Sequence, residues 1–155
     1  MVHGNRKAEQ KEILAQGAFG LLDGLNGGVA TAIGLLVAGA PAHLVAVALL
    51  SRAAGSSISM GGSEYETDET SPTRRIRVLR VAAMMIGYLT SAVIPSIGYF
   101  YSKSWGVGWS IPAVVICLGV VVWVRSRQHS LKNAVAITAL IFSLSVAAGL
   151  AAGAV

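Results

Sequence analysis

Ser56, Met60 and Glu64 recur at every fourth position of SSISMGGSEYETDE, a spacing that sets all three on one face of a helix. The thioether is a soft donor and the carboxylate a hard, charged one. A transition ion such as ferrous iron or manganese can use both, and weak thioether binding suits a site that must release its ion. Met60 alone reads as core packing; its spacing to Glu64 adds the ligand reading. Earlier in the chain, Asp23 supplies a second carboxylate within GAFGLLDGLNGGVATAIGLLVAGA. At membrane depth a carboxylate costs at least about 2.5–3.5 kcal/mol, so it faces a bundle interior or a water-filled path. Asn26, Gly27, Ala30 and Thr31 fall near the same face and make a narrow polar stripe. The candidate metal ligands are therefore Asp23, Met60 and Glu64, with Asn26, Ser56, Glu66 and Asp68 as secondary positions.

These residues need helices in a bilayer to position them. The chain has 155 residues, of which 54% are apolar and 12% charged, and its mean hydropathy is +0.67. Soluble domains carry about 25% charged residues. The charges here are clustered, leaving long neutral runs, so the expected class is an all-α integral membrane bundle in one domain. Spanning helices need about 20 mostly apolar residues. Five candidates meet that need, at residues 17–40, 42–65, 78–101, 109–124 and 134–155, behind a polar cytoplasmic tail over 1–16. Pro41 should break the first helix, and Pro95 should kink the third and free a carbonyl.

Loop cations give an orientation. Arg6, Lys7 and Lys11 precede the first span, Arg74, Arg75, Arg77 and Arg80 lie between the second and third, and Arg125, Arg127 and Lys132 follow the fourth. The intervening connections hold only Lys103. Rich and poor loops alternate, which puts the N-terminus in the cytoplasm and the C-terminus on the other side. No short cleavable signal sequence follows the polar start, so the first apolar run should remain as a membrane helix.

Several classes are excluded. The runs are too continuous for a barrel's alternation, GLNGG lacks the strand and lysine of a phosphate loop, and the single Cys117 makes no internal disulfide or cysteine zinc site. No nucleophile–base arrangement points to an enzyme, and the formal charge of +5 is no nucleic-acid signal in a membrane chain. Gly20, Gly24, Gly27, Gly28 and Gly34 allow close helix approach, either within the bundle or at a homodimer seam along the first helix. Arg52, mid-helix, should pair with an acid such as Asp23 or line water. His43 reads as a solvated turn residue, Ser63 as a backbone-bonding hydroxyl, and Met84 and Met85 as packing.

Three passages resemble the vacuolar iron transporter family. LLDGLNGG is similar to the Asp-Gly opening of its first helix. SISMGGSEYET resembles its Ser-Met-x-x-x-Glu-Tyr-x-Ser signature, with Thr67 at the final Ser, and SAVIPSIGYF resembles its Ala-Leu-Ile-Pro passage. The short second connection resembles the insert-lacking, nodulin-like branch. The resemblance implies a homodimeric exporter of ferrous iron, and often manganese, from the cytosol in exchange for protons. It maps Asp23, Met60 and Glu64 onto positions that bind or conduct the metal, which is cargo and not a permanently bound cofactor. The membrane would be the inner membrane of a bacterium or a vacuolar-type membrane of a eukaryote. A non-transporting scaffold of the same fold is the alternative, and it requires Asp23 and Arg52 to form a closed structural pair.

Overall fold

A computed structural model describes residues 2–69, 73–128 and 130–154, with side chains from residue 8 onward. Arg6 and Lys7 of the cation count, Ser71 and Pro72 of the polar connection, and Val155 at the end of the fifth span lie outside the described side chains. The described residues form helices α1 (Val2–Val37), α2 (Ala42–Thr67), α3 (Arg74–Ser96), α4 (Lys103–Ser126) and α5 (Leu131–Gly153), with a short 3₁₀ helix at Ile97–Phe100 after α3. Among them there is no strand, and all five α-helices are long and apolar enough to cross a membrane. Many of their exposed side chains are large and apolar, including Ile58, Ile86, Ile116, Leu140 and Leu144.

The helix limits differ from the sequence expectation for local reasons. Polar residues 2–16 are helical and continuous with the first span, because RKAEQKEILAQ is rich in helix formers. α1 ends at Val37 instead of residue 40. Gly39 adopts φ +80, and its N–H and that of Ala40 return to the carbonyls of Leu36 and Leu35 at 3.2 and 2.9 Å. That is the glycine-terminated end that satisfies the last carbonyls. Pro41 then sits at the N-cap of α2 in an extended conformation. Side-chain caps explain the early starts of the later helices. Thr73 accepts from the Ile76 N–H, Ser102 from Trp105 and Ser130 from Asn133, each satisfying a donor that a helix start leaves open.

Pro95 ends the regular part of α3, and the chain tightens into the 3₁₀ turn. Two carbonyls at this point face α4: Trp109 Nε1 donates to Ile94 at 2.7 Å, and Ser110 Oγ, 2.6 Å from the Gly106 carbonyl, lies 3.0 Å from that of Pro95. These contacts dock α4 onto the end of α3.

α1 packs against all four other helices. Leu21, Leu22 and Leu25 form a core with Cys117 and Val121 of α4, while Val45, Ala46 and Leu49 of α2 gather around Tyr99. The glycines make the closest approaches. A Cβ at Gly20 would fall on the Met84 carbonyl and one at Gly24 on Ser91, both in α3. At the other end of α1, Cβ atoms built on Gly149 and Gly153 of α5 would lie 2.7 and 2.6 Å from the carbonyls of Ala30 and Gly34. Most of the α1 glycines that the sequence offers for close packing are thus engaged within the chain.

Candidate functional site

Two contacts set the register between α1 and α2. Gln16 Nε2 donates to Glu64 Oε1 at 2.9 Å, and the Arg52 guanidinium lies against the bare backbone of Gly27. Nearly equal steps along the two helices separate these contacts, so α1 and α2 run antiparallel side by side. In this register Gly20 is level with Met60, and Asp23 with Ser56. Asp23 then lies about 10 Å along the axis from the Gln16–Glu64 contact, at 1.5 Å per residue, and Arg52 about one turn beyond Asp23. The seam is a column of separated polar stations, with a carboxylate at one end, a second carboxylate in the middle and a guanidinium below it.

The side chains of this column differ in how they are satisfied. Asp23, Ser56, Met60, Glu64 and Arg52 are all half-buried. Glu64 is held by Gln16, whereas among the described residues Asp23 and Arg52 have no hydrogen bond or ion pair, with each other or with any other group. The expected Asp23–Arg52 pair is therefore not formed. The Asn26 Oδ1 atom, one turn from Asp23, is buried without a hydrogen-bond partner. Thr31 turns its hydroxyl back to the Gly27 carbonyl at 2.8 Å, the helical self-bonding that removes it from the stripe. Met60 packs against the buried cluster of Ala53, Tyr88 and Ala92. Its thioether is thus beside α3, level with Gly20.

The acids at the end of α2 separate into two kinds. Glu66 and Glu69 are exposed. Asp68 is instead buried, with a side-chain exposure of 2%, and Arg80 of α3 reaches it at 3.3 Å. Arg80 also approaches Glu12 of α1 at 3.9 Å. One guanidinium therefore gathers α1, α2 and α3 at this end of the bundle. Arg77 completes the clamp by lying over the Tyr65 ring, 5.6 Å from its centroid. Among the described residues, no three side chains of the His, Cys, Asp or Glu type are grouped closely enough to hold a metal ion.

Two of these partners were missed by sequence reasoning. Gln16 stands seven residues before Asp23 on the same α1 face, so helical spacing contained a signal for it. Arg80 had none, because its pairing with Asp68 depends on how α3 returns beside α2. Chemically, the seam places two carboxylates and the Asn26 amide on α1 and α2, with the Arg52 guanidinium about one turn beyond Asp23. Protein-family models and curated proteins provide no match to the chain.

Proposed function

We propose that the chain is a membrane transporter that exports a divalent transition metal, ferrous iron or manganese, from the cytosol by proton antiport. The observation that carries this reading is the α1–α2 seam, in which Asp23 stands without a protein counter-charge between Glu64 and Arg52. Such an acid within a membrane helix calls for a cation, a proton or water. A carboxylate binds metal when ionised and releases it on protonation, which couples metal movement to the proton gradient. Glu64 and exposed Glu66 form the cytoplasmic mouth, Met60 favours transition ions over magnesium by its soft donor, and Asp23 is the inner station, with Asn26 and Ser56 beside it. Asp68 contributes through its pairing with Arg80, by fixing the mouth. The metal and the proton are the ligands, the working form is a homodimer assembled along α1, and the cation-rich end faces the cytoplasm.

The test is uptake of ferrous iron and manganese into proteoliposomes under an imposed pH gradient. Asp23→Ala and Glu64→Ala should each abolish gradient-dependent uptake while leaving the folded protein intact by size-exclusion chromatography. Absence of uptake by the unaltered protein, or uptake by both variants equal to that of the unaltered protein, would overturn the proposal and leave a membrane scaffold as the better reading.

A further inference from the structure

The cation-rich end of the bundle holds a second polar feature, outside the α1–α2 seam. A cavity of about 320 Å³ opens between α1, α4 and α5, and Arg125, Gln128, Asn133 and Gln16 line its polar part while Phe19 and Ile137 line its apolar part. Arg125 Nη1 is buried there and has no hydrogen-bond partner, and no described carboxylate forms an ion pair with it. A buried guanidinium nitrogen without a partner is costly, and its planar fork suits phosphate oxygens. Three amide side chains around it add donors, and the first turn of α5, which carries Asn133, adds the positive end of a helix dipole.

The depth of the cavity fits a lipid headgroup. Trp123, two residues before Arg125 in α4, is exposed, and Arg127 stacks over its ring at 4.7 Å from the centroid. Exposed tryptophan beside arginine marks the membrane–water boundary. Basic pockets between helices at that boundary accept anionic headgroups, and Phe19 and Ile137, both exposed, continue the cavity along an acyl-chain path. We propose that this cavity binds a phosphate group, carried by an anionic phospholipid, with Arg125 as its counter-charge. Gln16 belongs both to this cavity and to the contact with Glu64, so the bound lipid would sit directly behind the first carboxylate of the seam.

The experiment uses the full chain in neutral detergent, with lipid binding read by native mass spectrometry and thermal stabilisation. Phosphatidylglycerol should bind about tenfold or more tightly to the unaltered protein than to Arg125→Gln, the loss set by one charge-assisted contact. Arg127→Gln, which alters the neighbouring cation outside the cavity, should bind like the unaltered protein. Phosphatidylcholine should bind weakly. Inorganic phosphate that stabilises the protein through Arg125 and displaces the lipid would support the phosphate site and identify the free ion as an occupant. Equal binding of phosphatidylglycerol and phosphatidylcholine without a phosphate effect, or equal lipid binding by Arg125→Gln, would overturn the proposal. If Arg125→Gln does not fold, exposed Gln128→Leu takes its place: roughly threefold weaker binding supports the site, and unchanged binding refutes it.

Discussion

Replacing Gly20 and Gly27 by alanine should give opposite results, although both sit on α1 and both would place a new methyl group in occupied space. At Gly20 the atoms in the way are backbone: the Met84 carbonyl group, with the Met84 Cα at 3.0 Å from the added carbon. No rotamer change can clear them, so α1 and α3 must part. Overpacking of this kind costs about 1–3 kcal/mol, and the better helix propensity of alanine returns up to about 1 kcal/mol. Gly20→Ala should therefore lose about 1–2 kcal/mol, which lowers the unfolding midpoint by about 2–8 °C in a chain of this size. At Gly27 the obstacle is the Arg52 guanidinium, the tip of a flexible side chain. Moving it to another rotamer costs about 0.5–1.5 kcal/mol, which the propensity gain offsets, so Gly27→Ala should unfold within about 2 °C of the unaltered protein. Thermal unfolding in neutral detergent, followed by tryptophan fluorescence, measures both. Equal losses from the two substitutions, or a neutral Gly20→Ala, would refute the assignment of α1–α3 contact to Gly20 and of a displaceable guanidinium to Gly27.

Asp68→Asn removes the shorter of the two carboxylate contacts of Arg80, 3.3 Å against 3.9 Å to Glu12, and should destabilise by about 1.5–3 kcal/mol. Denaturant titration of Asp68→Asn, Arg80→Gln and the double variant should show strong non-additivity, whereas simple addition would mean that the pair does not act as a unit. Trp109→Phe removes the side-chain donor to the Ile94 carbonyl at 2.7 Å, which also accepts from the Ile97 N–H, and should cost about 1 kcal/mol, read as a lower unfolding midpoint; no change would mean that the Ile97 N–H alone satisfies that carbonyl.

Helix number and the approximate spans were legible because each span is a long neutral run, and burial in lipid requires nothing subtler than length and apolarity. The ends were less legible. Gly39 stops α1 before Pro41 does, and the caps at Thr73, Ser102 and Ser130 extend their helices beyond the apolar windows. Hydropathy does not register a helix that continues through RKAEQKEILAQ, since such a stretch is polar and helix-forming together. In the candidate site, the spacing of Ser56, Met60 and Glu64 identified one face correctly as a matter of helical period. What that face meets depends on the α1–α2 register, and this is fixed by tertiary contacts such as Gln16 with Glu64. Asp68 illustrates the same limit: as a letter in a run of acids it resembles Glu66 and Glu69, yet it alone is buried beside Arg80.

The unpaired state of Asp23 and Arg52 bears most directly on function. In a scaffold, two opposite charges held about one turn apart in the same seam would gain attraction by closing, which offsets the desolvation that each already bears. Here Arg52 is turned onto Gly27, where the missing Cβ gives its guanidinium room, and Asp23 is left half-buried without it. Under the export proposal this separation has a purpose: an Asp23 closed on Arg52 could not accept a metal ion, and an Asp23 without any nearby cation would hold one too long. The same geometry bears on assembly. Gly20 and Gly24 are engaged with α3, and Gly34 with α5, so the homodimer proposed along α1 would form through other residues than these glycines.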